Sequence, residues 1–190
     1  MRKEASLVLA LAVVLAFAVV RADANTQLHG VVPMLRWACS CLRGALPGED
    51  VNKRNSVTGR TLLHSAASDG QIHMARTLLA AGADKDAGDK NGRTPLHHAV
   101  ASNHTHLASL LIERGAYIDA QDKHGWAPLH HASAEGDAQM ARTLLEAGAD
   151  WDLEDNNEFS PLNWAASGGH QEVVKVLVAA GAKTRDRQAF

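Results

Sequence analysis

The sequence predicts an all-α fold of repeated units, each a helix, a turn, a second helix and an extended polar loop. Three observations predict it. Gly82, Gly115, Gly148 and Gly181 recur every 33 residues, as do Thr61, Thr94, Ala127 and Ser160, and His64, His97, His130 and Asn163. The segment MARTLL occurs at Met74–Leu79 and again at Met140–Leu145, two periods apart, which points to duplication of a two-repeat block. The 190-residue chain is 46% apolar but only 4% aromatic and rich in Ala, a composition suited to small, closely packed helices.

The other bulk properties exclude several function classes. Nineteen Lys and Arg stand against 21 Asp and Glu, a net charge of −2, so no basic stripe marks a nucleic-acid site. The same balance, with 21% charged residues, excludes a mainly disordered chain. Two cysteines, Cys39 and Cys41, are too few for a disulfide framework.

The elements follow in order. Residues 1–22 have the three-part layout of a secretory signal peptide: basic Met1-Arg2-Lys3, an apolar run from Leu7 to Val20, then Ala22 and Ala24 around Asp23. Cleavage falls after Ala22 or after Ala24. Ala5–Val20 is sixteen residues, short of the roughly 20 that a spanning helix needs. Residues 23–57 read as a degenerate N-terminal capping segment, with one helix over Met34–Ala45 between Pro33 and Pro47. Met34, Trp37, Ala38, Cys41 and Ala45 share a face of it. Gly48-Glu49-Asp50-Val51-Asn52 resembles a unit end set one residue out of register. Four full units follow at 58–90, 91–123, 124–156 and 157–189.

The second unit shows the internal logic. Thr94 stands at the N-cap of a helix and Pro95 at its first position, where a missing N–H costs nothing. Leu96, Ala99 and Val100 form an apolar face at helical spacing. Asn103 holds the place of Gly70, Gly136 and Gly169, an inter-helix turn that needs positive φ. Leu107, Leu110, Leu111 and Ile112 build a second helix, which Gly115 closes as a left-handed cap. Asp119 to Gly125 is polar and reads as a hairpin-like finger, with Asp122 and Gly125 as turn formers. Ala75, Ala108 and Ala141 share one position of the second helix, and Val174 replaces them in the last unit, where Lys183, Arg185, Asp186 and Arg187 follow as a polar end.

The segment Thr94-Pro95-Leu96-His97-His98-Ala99 resembles the core of the ankyrin repeat in full. Thr61-Leu62-Leu63-His64 lacks its proline, Ala127-Pro128-Leu129-His130 its threonine, and Ser160-Pro161-Leu162-Asn163 both ends. Gly82-Ala83-Asp84 and Gly148-Ala149-Asp150 match the repeat's end, and Gly115-Ala116-Tyr117 does so loosely. The resemblance covers about two-thirds of the chain. It implies an ankyrin-repeat solenoid of stacked helix pairs that binds another protein, without catalysis and without a cofactor.

Eleven histidines raise metal and acid–base chemistry. His64, His97 and His130 recur in register near a helix start, where imidazole can bond the cap threonine and the nearby loop backbone. The pairs His97-His98 and His130-His131 splay around their helices rather than converging, so no metal site is expected. Cys39-x-Cys41 is likewise a poor clamp on a helix. The acidic cluster Asp150, Asp152, Glu154 and Asp155 reads as a solvated finger loop. Asn103-His104-Thr105 is an N-glycosylation sequon, and turn conformation alone also accounts for Asn103.

The expected function is that of an interaction module for an unidentified protein on the concave, finger-side face, in a monomer. No nucleic acid is involved, and a membrane only if the N-terminal segment is retained. The alternatives are a membrane-tethered cytosolic adaptor and, remotely, a metal-dependent enzyme using the repeat histidines. The leader points to the secretory pathway. The expected contact residues begin with the position before each helix cap: Arg60, Arg93, Trp126 and Phe159. Finger residues Lys90, Asn91, Lys123, His124, Asn156 and Asn157 should rim that ladder. Ser68, Asp69, Ser102 and Glu135 should line the neighbouring surface. Two readings of Trp126 stay open: a hot spot for a partner, or packing against adjacent fingers.

Overall fold

The computed structural model describes residues 50–182. The leader, the helix expected over Met34–Ala45 with Cys39 and Cys41, and the polar end from Lys183 lie outside the described residues.

Eight helices follow one another among the described residues. They are α1 (Leu62–Ser68), α2 (Ile72–Ala80), α3 (Pro95–Ala101), α4 (Thr105–Glu113), α5 (Pro128–Glu135), α6 (Ala138–Glu146), α7 (Pro161–Ser167) and α8 (Gln171–Ala179). Each expected 33-residue unit holds one pair. The first helices stack in a row, α1 on α3, α3 on α5 and α5 on α7, and the second helices stack behind them, α2 on α4, α4 on α6 and α6 on α8. No strand occurs among the described residues, so the fingers are turns.

The core repeats with the sequence. Leu63, Leu96, Leu129 and Leu162 are buried on the first helices, with Ala66, Ala99, Ala132 and Ala165 one turn on. Leu78, Leu111, Leu144 and Leu177 are buried on the second helices. Each such Leu contributes about 2 kcal/mol of transfer free energy. Ala75, Ala108 and Ala141 are fully buried. Val174, at the equivalent place in the fourth unit, is only half-buried.

Short helices need firm ends. Pro95, Pro128 and Pro161 occupy the first helical positions, as expected. The threonines do stand at N-caps, with their hydroxyls against imidazole: Thr94 Oγ1 lies 2.9 Å from His97 Nδ1. In the fourth unit Ser160 Oγ instead accepts the Asn163 N–H at 3.4 Å and donates to Asn163 Oδ1 at 2.7 Å.

The inter-helix turns explain their own departure from glycine. Gly70, Asn103 and Gly136 have φ of 69°, 57° and 76°, the left-handed region where a Cβ is strained. At Gly70 a Cβ would also lie 2.7 Å from the His104 ring, and at Gly136 2.5 Å from the His170 ring. Those rings reach back over the preceding unit, with His104 Nε2 bonded to Ser68 O at 3.1 Å and His170 Nε2 to Ala134 O at 2.9 Å. The residue at that position after Asn103 is Asp137, which instead caps its own helix by accepting the Gln139 and Met140 amides. No ring reaches over residue 103 from that position, and a side chain fits there.

The N-terminal segment joins the array through the same side-chain tie that links the later units. Asp86 Oδ1 accepts the Tyr117 amide at 2.7 Å and Asp119 Oδ1 the Asp150 amide at 2.9 Å. Asn52 Oδ1 accepts the Asp84 amide at 2.7 Å in the same manner. Asn52 precedes Asp86 by 34 residues instead of 33, so the one-residue offset read from the sequence is absorbed without loss of the tie.

Candidate functional site

The backbone of the finger row is fixed by bonds between fingers. Lys90 N–H donates to Thr58 O at 3.0 Å, Lys123 N–H to Asn91 O at 2.8 Å, and Asn156 N–H to His124 O at 3.0 Å. Asn156 Nδ2 adds a bond to Lys123 O at 2.8 Å. Adjacent fingers are therefore joined edge to edge. The residues Lys90, Asn91, Lys123, His124, Asn156 and Asn157 are all exposed.

Behind the tips, three aspartates organise the finger bases. Asp89 Oδ1 accepts the Asn91 and Arg93 amides at 2.8 and 3.0 Å, and its Oδ2 accepts His98 Nε2–H at 3.0 Å, with Arg60 Nε at 3.7 Å. Asp122 Oδ1 accepts the His124 and Trp126 amides, and Oδ2 accepts Arg93 Nε–H at 3.3 Å. Asp155 Oδ1 accepts the Asn157 and Phe159 amides, and Oδ2 accepts the indole N–H of both Trp126 and Trp164 at 3.1 Å. Each carboxylate thus closes its own finger and grips a side chain at the start of its own unit, 29 residues back. Burial raises the pKa of all three, but these hydrogen bonds outweigh it and hold each carboxyl below its usual range.

This overturns part of the sequence reading. Asp155 was expected in a solvated loop, yet it is 5% exposed and Asp122 only 7%. An acidic residue in a polar loop reads as solvated when its donors come from another repeat and from the loop's own amides.

A second ladder uses the repeated histidines. His64 Nδ1 accepts the Thr61 amide at 3.0 Å, and its Nε2–H donates to Arg93 O at 2.9 Å in the next unit. His97 repeats this between Thr94 and Trp126 O, and His130 between Ala127 and Phe159 O. An N–H faces Nδ1 and a carbonyl faces Nε2, so only the neutral Nε2–H tautomer satisfies both. Burial lowers all three pKa values against the pull of the carbonyl bonds. Burial also pushes His98 down to about 4, although its bond to Asp89 pulls the other way. His131 falls to about 3, through burial first and then the nearby His97 and Arg93. Its Nε2 stops 3.8 Å short of Asp122 Oδ2. At neutral pH these imidazoles are uncharged struts.

The array changes character along its length. At the first two junctions Arg60 and Arg93 meet aspartate. At the third, Trp126 lies against Trp164 with ring centroids 4.7 Å apart and edge-on to His131 at 4.8 Å, and Phe159 lies 5.7 Å from Trp164. Arg60, Arg93 and Trp126 are half-buried, while Phe159 is 37% exposed. The expected ladder positions thus recur in one structural role. Asp69 and Glu135 are exposed, but at the far ends of α1 and α5, about 10 Å along a seven-residue helix from the finger bases. The structure does not bring them to the finger row. Among the described residues no group of three or more His, Cys, Asp or Glu is arranged to hold a metal ion.

A family model described as ankyrin repeats (3 copies) matches residues 36–122 and again residues 115–188. The chain belongs to the ankyrin-repeat family. None of the curated proteins compared matches it. Ankyrin repeats are generally protein-interaction modules and typically not enzymes, and the family match begins inside the N-terminal segment read as a degenerate unit. The aspartates at 89, 122 and 155 are the residues that sequence reasoning missed. Their 33-residue recurrence, each 29 residues after a ladder position, was a usable signal.

Proposed function

We propose that the finger-side face of this ankyrin array binds a partner protein, with the finger tips as the primary contacts. One observation carries the reading: six finger residues present exposed side chains from a backbone locked to its neighbours. Binding there orders little new backbone, so contact free energy is not spent on fixing loops. Lys90 and Lys123 with the outer edges of Arg60 and Arg93 favour carboxylates on the partner over the first two units. Trp126, Trp164 and Phe159 favour an apolar or aromatic group over the last two. Asp69 and Glu135 form a separate flank at the far ends of the inner helices. The leader supports export of the chain, and N-terminal sequencing of the mature protein tests that point.

The face is tested by placing a photo-crosslinking residue at Lys123 or Asn157 and, for comparison, at His106 or Arg142 on the second helices. Adducts to one protein from the finger positions alone are expected. Lys90→Glu with Lys123→Glu should then weaken that complex at least tenfold without moving the melting temperature. Adducts chiefly from His106 or Arg142 would reassign binding to the helical back face.

A further inference from the structure

We propose that Asn103 carries an N-linked glycan, placed at the edge of the array remote from the fingers. The chain contains a single N-x-S/T sequon, Asn103-His104-Thr105, with histidine rather than proline between. Three structural observations take the motif beyond a sequence match. Asn103 is exposed and makes only a backbone bond, its N–H to Val100 O at 2.9 Å, so a sugar on Nδ2 displaces no contact. The His104 ring bonds backward to Ser68 O and the Asp137 carboxylate bonds forward to α6, so neither neighbour closes over the site. At the two flanking turns a Cβ alone would strike a histidine ring, so this turn stands apart from its neighbours in admitting a substituted side chain.

Position gives the modification a meaning. The turn joins the end of α3 to the start of α4, whereas the fingers precede α3 and follow α4. A glycan on residue 103 leaves Lys90, Lys123 and the finger row clear, so modification and the proposed partner contact are compatible. It would shield the Asp69–Glu135 flank instead, because these residues end the neighbouring first helices. The leader supplies the route to a lumenal transferase. The reaction is a substitution at an anomeric carbon. The Asn103 carboxamide nitrogen forms the new N–C bond as the anomeric C–O bond of a lipid-pyrophosphate-linked oligosaccharide breaks. The pyrophosphate leaves with the bonding electrons, and one amide proton passes to a base of the transferase. Nothing is oxidised or reduced.

The test expresses the full chain with its own leader in cultured animal cells and treats it with a peptide-N-glycosidase. Slow migration that collapses on treatment, with residue 103 recovered as Asp by mass spectrometry, is expected. Thr105→Ala should abolish the shift while leaving Asn103 and its turn in place, and Thr105→Ser should keep it. Replacing the leader with an established secretory signal separates delivery from the site. A chain unmodified with either leader overturns the accessibility argument. Modification only with the substituted leader overturns the claim that this chain carries the glycan. Neither result touches the finger-face reading, which is tested on residues at the other edge.

Discussion

Lowering the pH from 7 to 5 should destabilise the array by several kcal/mol, because protons bind histidines in the unfolded chain that the folded chain keeps neutral. His98 and His131 have folded pKa values pushed down from 6.5 to about 4 and about 3. A depressed histidine contributes its full stability above the unfolded pKa and loses it as pH falls toward the folded one. Between 6.5 and about 4 each therefore removes about 1.4 kcal/mol per pH unit. At pH 5 the loss is about 2 kcal/mol each, about 4 for the pair, against a typical domain stability of about 5–15. His64, His97 and His130 shift in the same direction and add to it. The aspartates do not offset the effect. Asp89, Asp122 and Asp155 are held below 3.8, so their contribution is lost only as pH falls beneath that value. Urea unfolding at pH 7, 6 and 5 reads the change: with a slope of about 2 kcal/mol/M, the midpoint should fall by about 2 M or more. His98→Gln, which keeps a donor for Asp89, should flatten the dependence by about one proton, or about 1.4 kcal/mol per pH unit. A midpoint constant from pH 7 to 5, or an unchanged slope in His98→Gln, would refute the reasoning.

Three further outcomes follow from single side chains. Trp126→Ala should cost about 3 kcal/mol by emptying the space against Trp164 and His131, whereas Trp126→Phe, losing chiefly the bond to Asp155, should cost about 1. Calorimetric melting separates them, and a wild-type melt for Trp126→Ala would refute its packing role against Trp164 and His131. Gly148→Ala meets open space and should lose only the roughly 1 kcal/mol of a left-handed alanine, while Gly136→Ala also strikes the His170 ring and should lose more. Equal melting temperatures for the two would contradict the ring-over-turn geometry. Asp122→Ala strips the His124 and Trp126 amides of their acceptor and Arg93 of its counter-charge, for about 3 kcal/mol, against at most about 0.5 for the exposed Lys90→Ala.

Much of the fold was legible because repetition multiplies weak signals. One Thr-Pro-Leu-His is a short motif, but with three registered variants of it the period, the helix starts and the turns are specified. Even the slipped register at Asn52 was visible, because a unit end keeps its residue types. The site was less legible for a physical reason. Arg60, Arg93 and Trp126 differ in charge and shape, yet each approaches the same carboxylate oxygen of the next finger. Composition along the ladder suggests a binding surface that varies, while the constant member is an aspartate in a loop, a residue type usually read as solvated. A guanidinium and an indole are equivalent here because Oδ2 needs an N–H donor, and both supply one.

That equivalence separates what the array needs from what it displays. The aspartate ties and the finger backbone bonds join the two ends of one unit, 29 and 32 residues apart, whereas the imidazole ladder and the Asn156 carboxamide reach 29 and 33 residues into the neighbouring unit. No unit can form the latter bonds alone, so stability is shared between neighbours, as expected for a one-dimensional array. The fourth unit shows the converse: Asn163, in the histidine position, turns its carboxamide back onto Ser160. At each forward tie one face of the donor is spent on the aspartate, and the opposite face is the one that the proposed function offers to a partner. Changing donor type from Arg to Trp therefore alters the outer surface from cationic to aromatic while keeping the inner hydrogen bond. The array can vary its outer surface chemistry unit by unit without altering the ladder that holds it together.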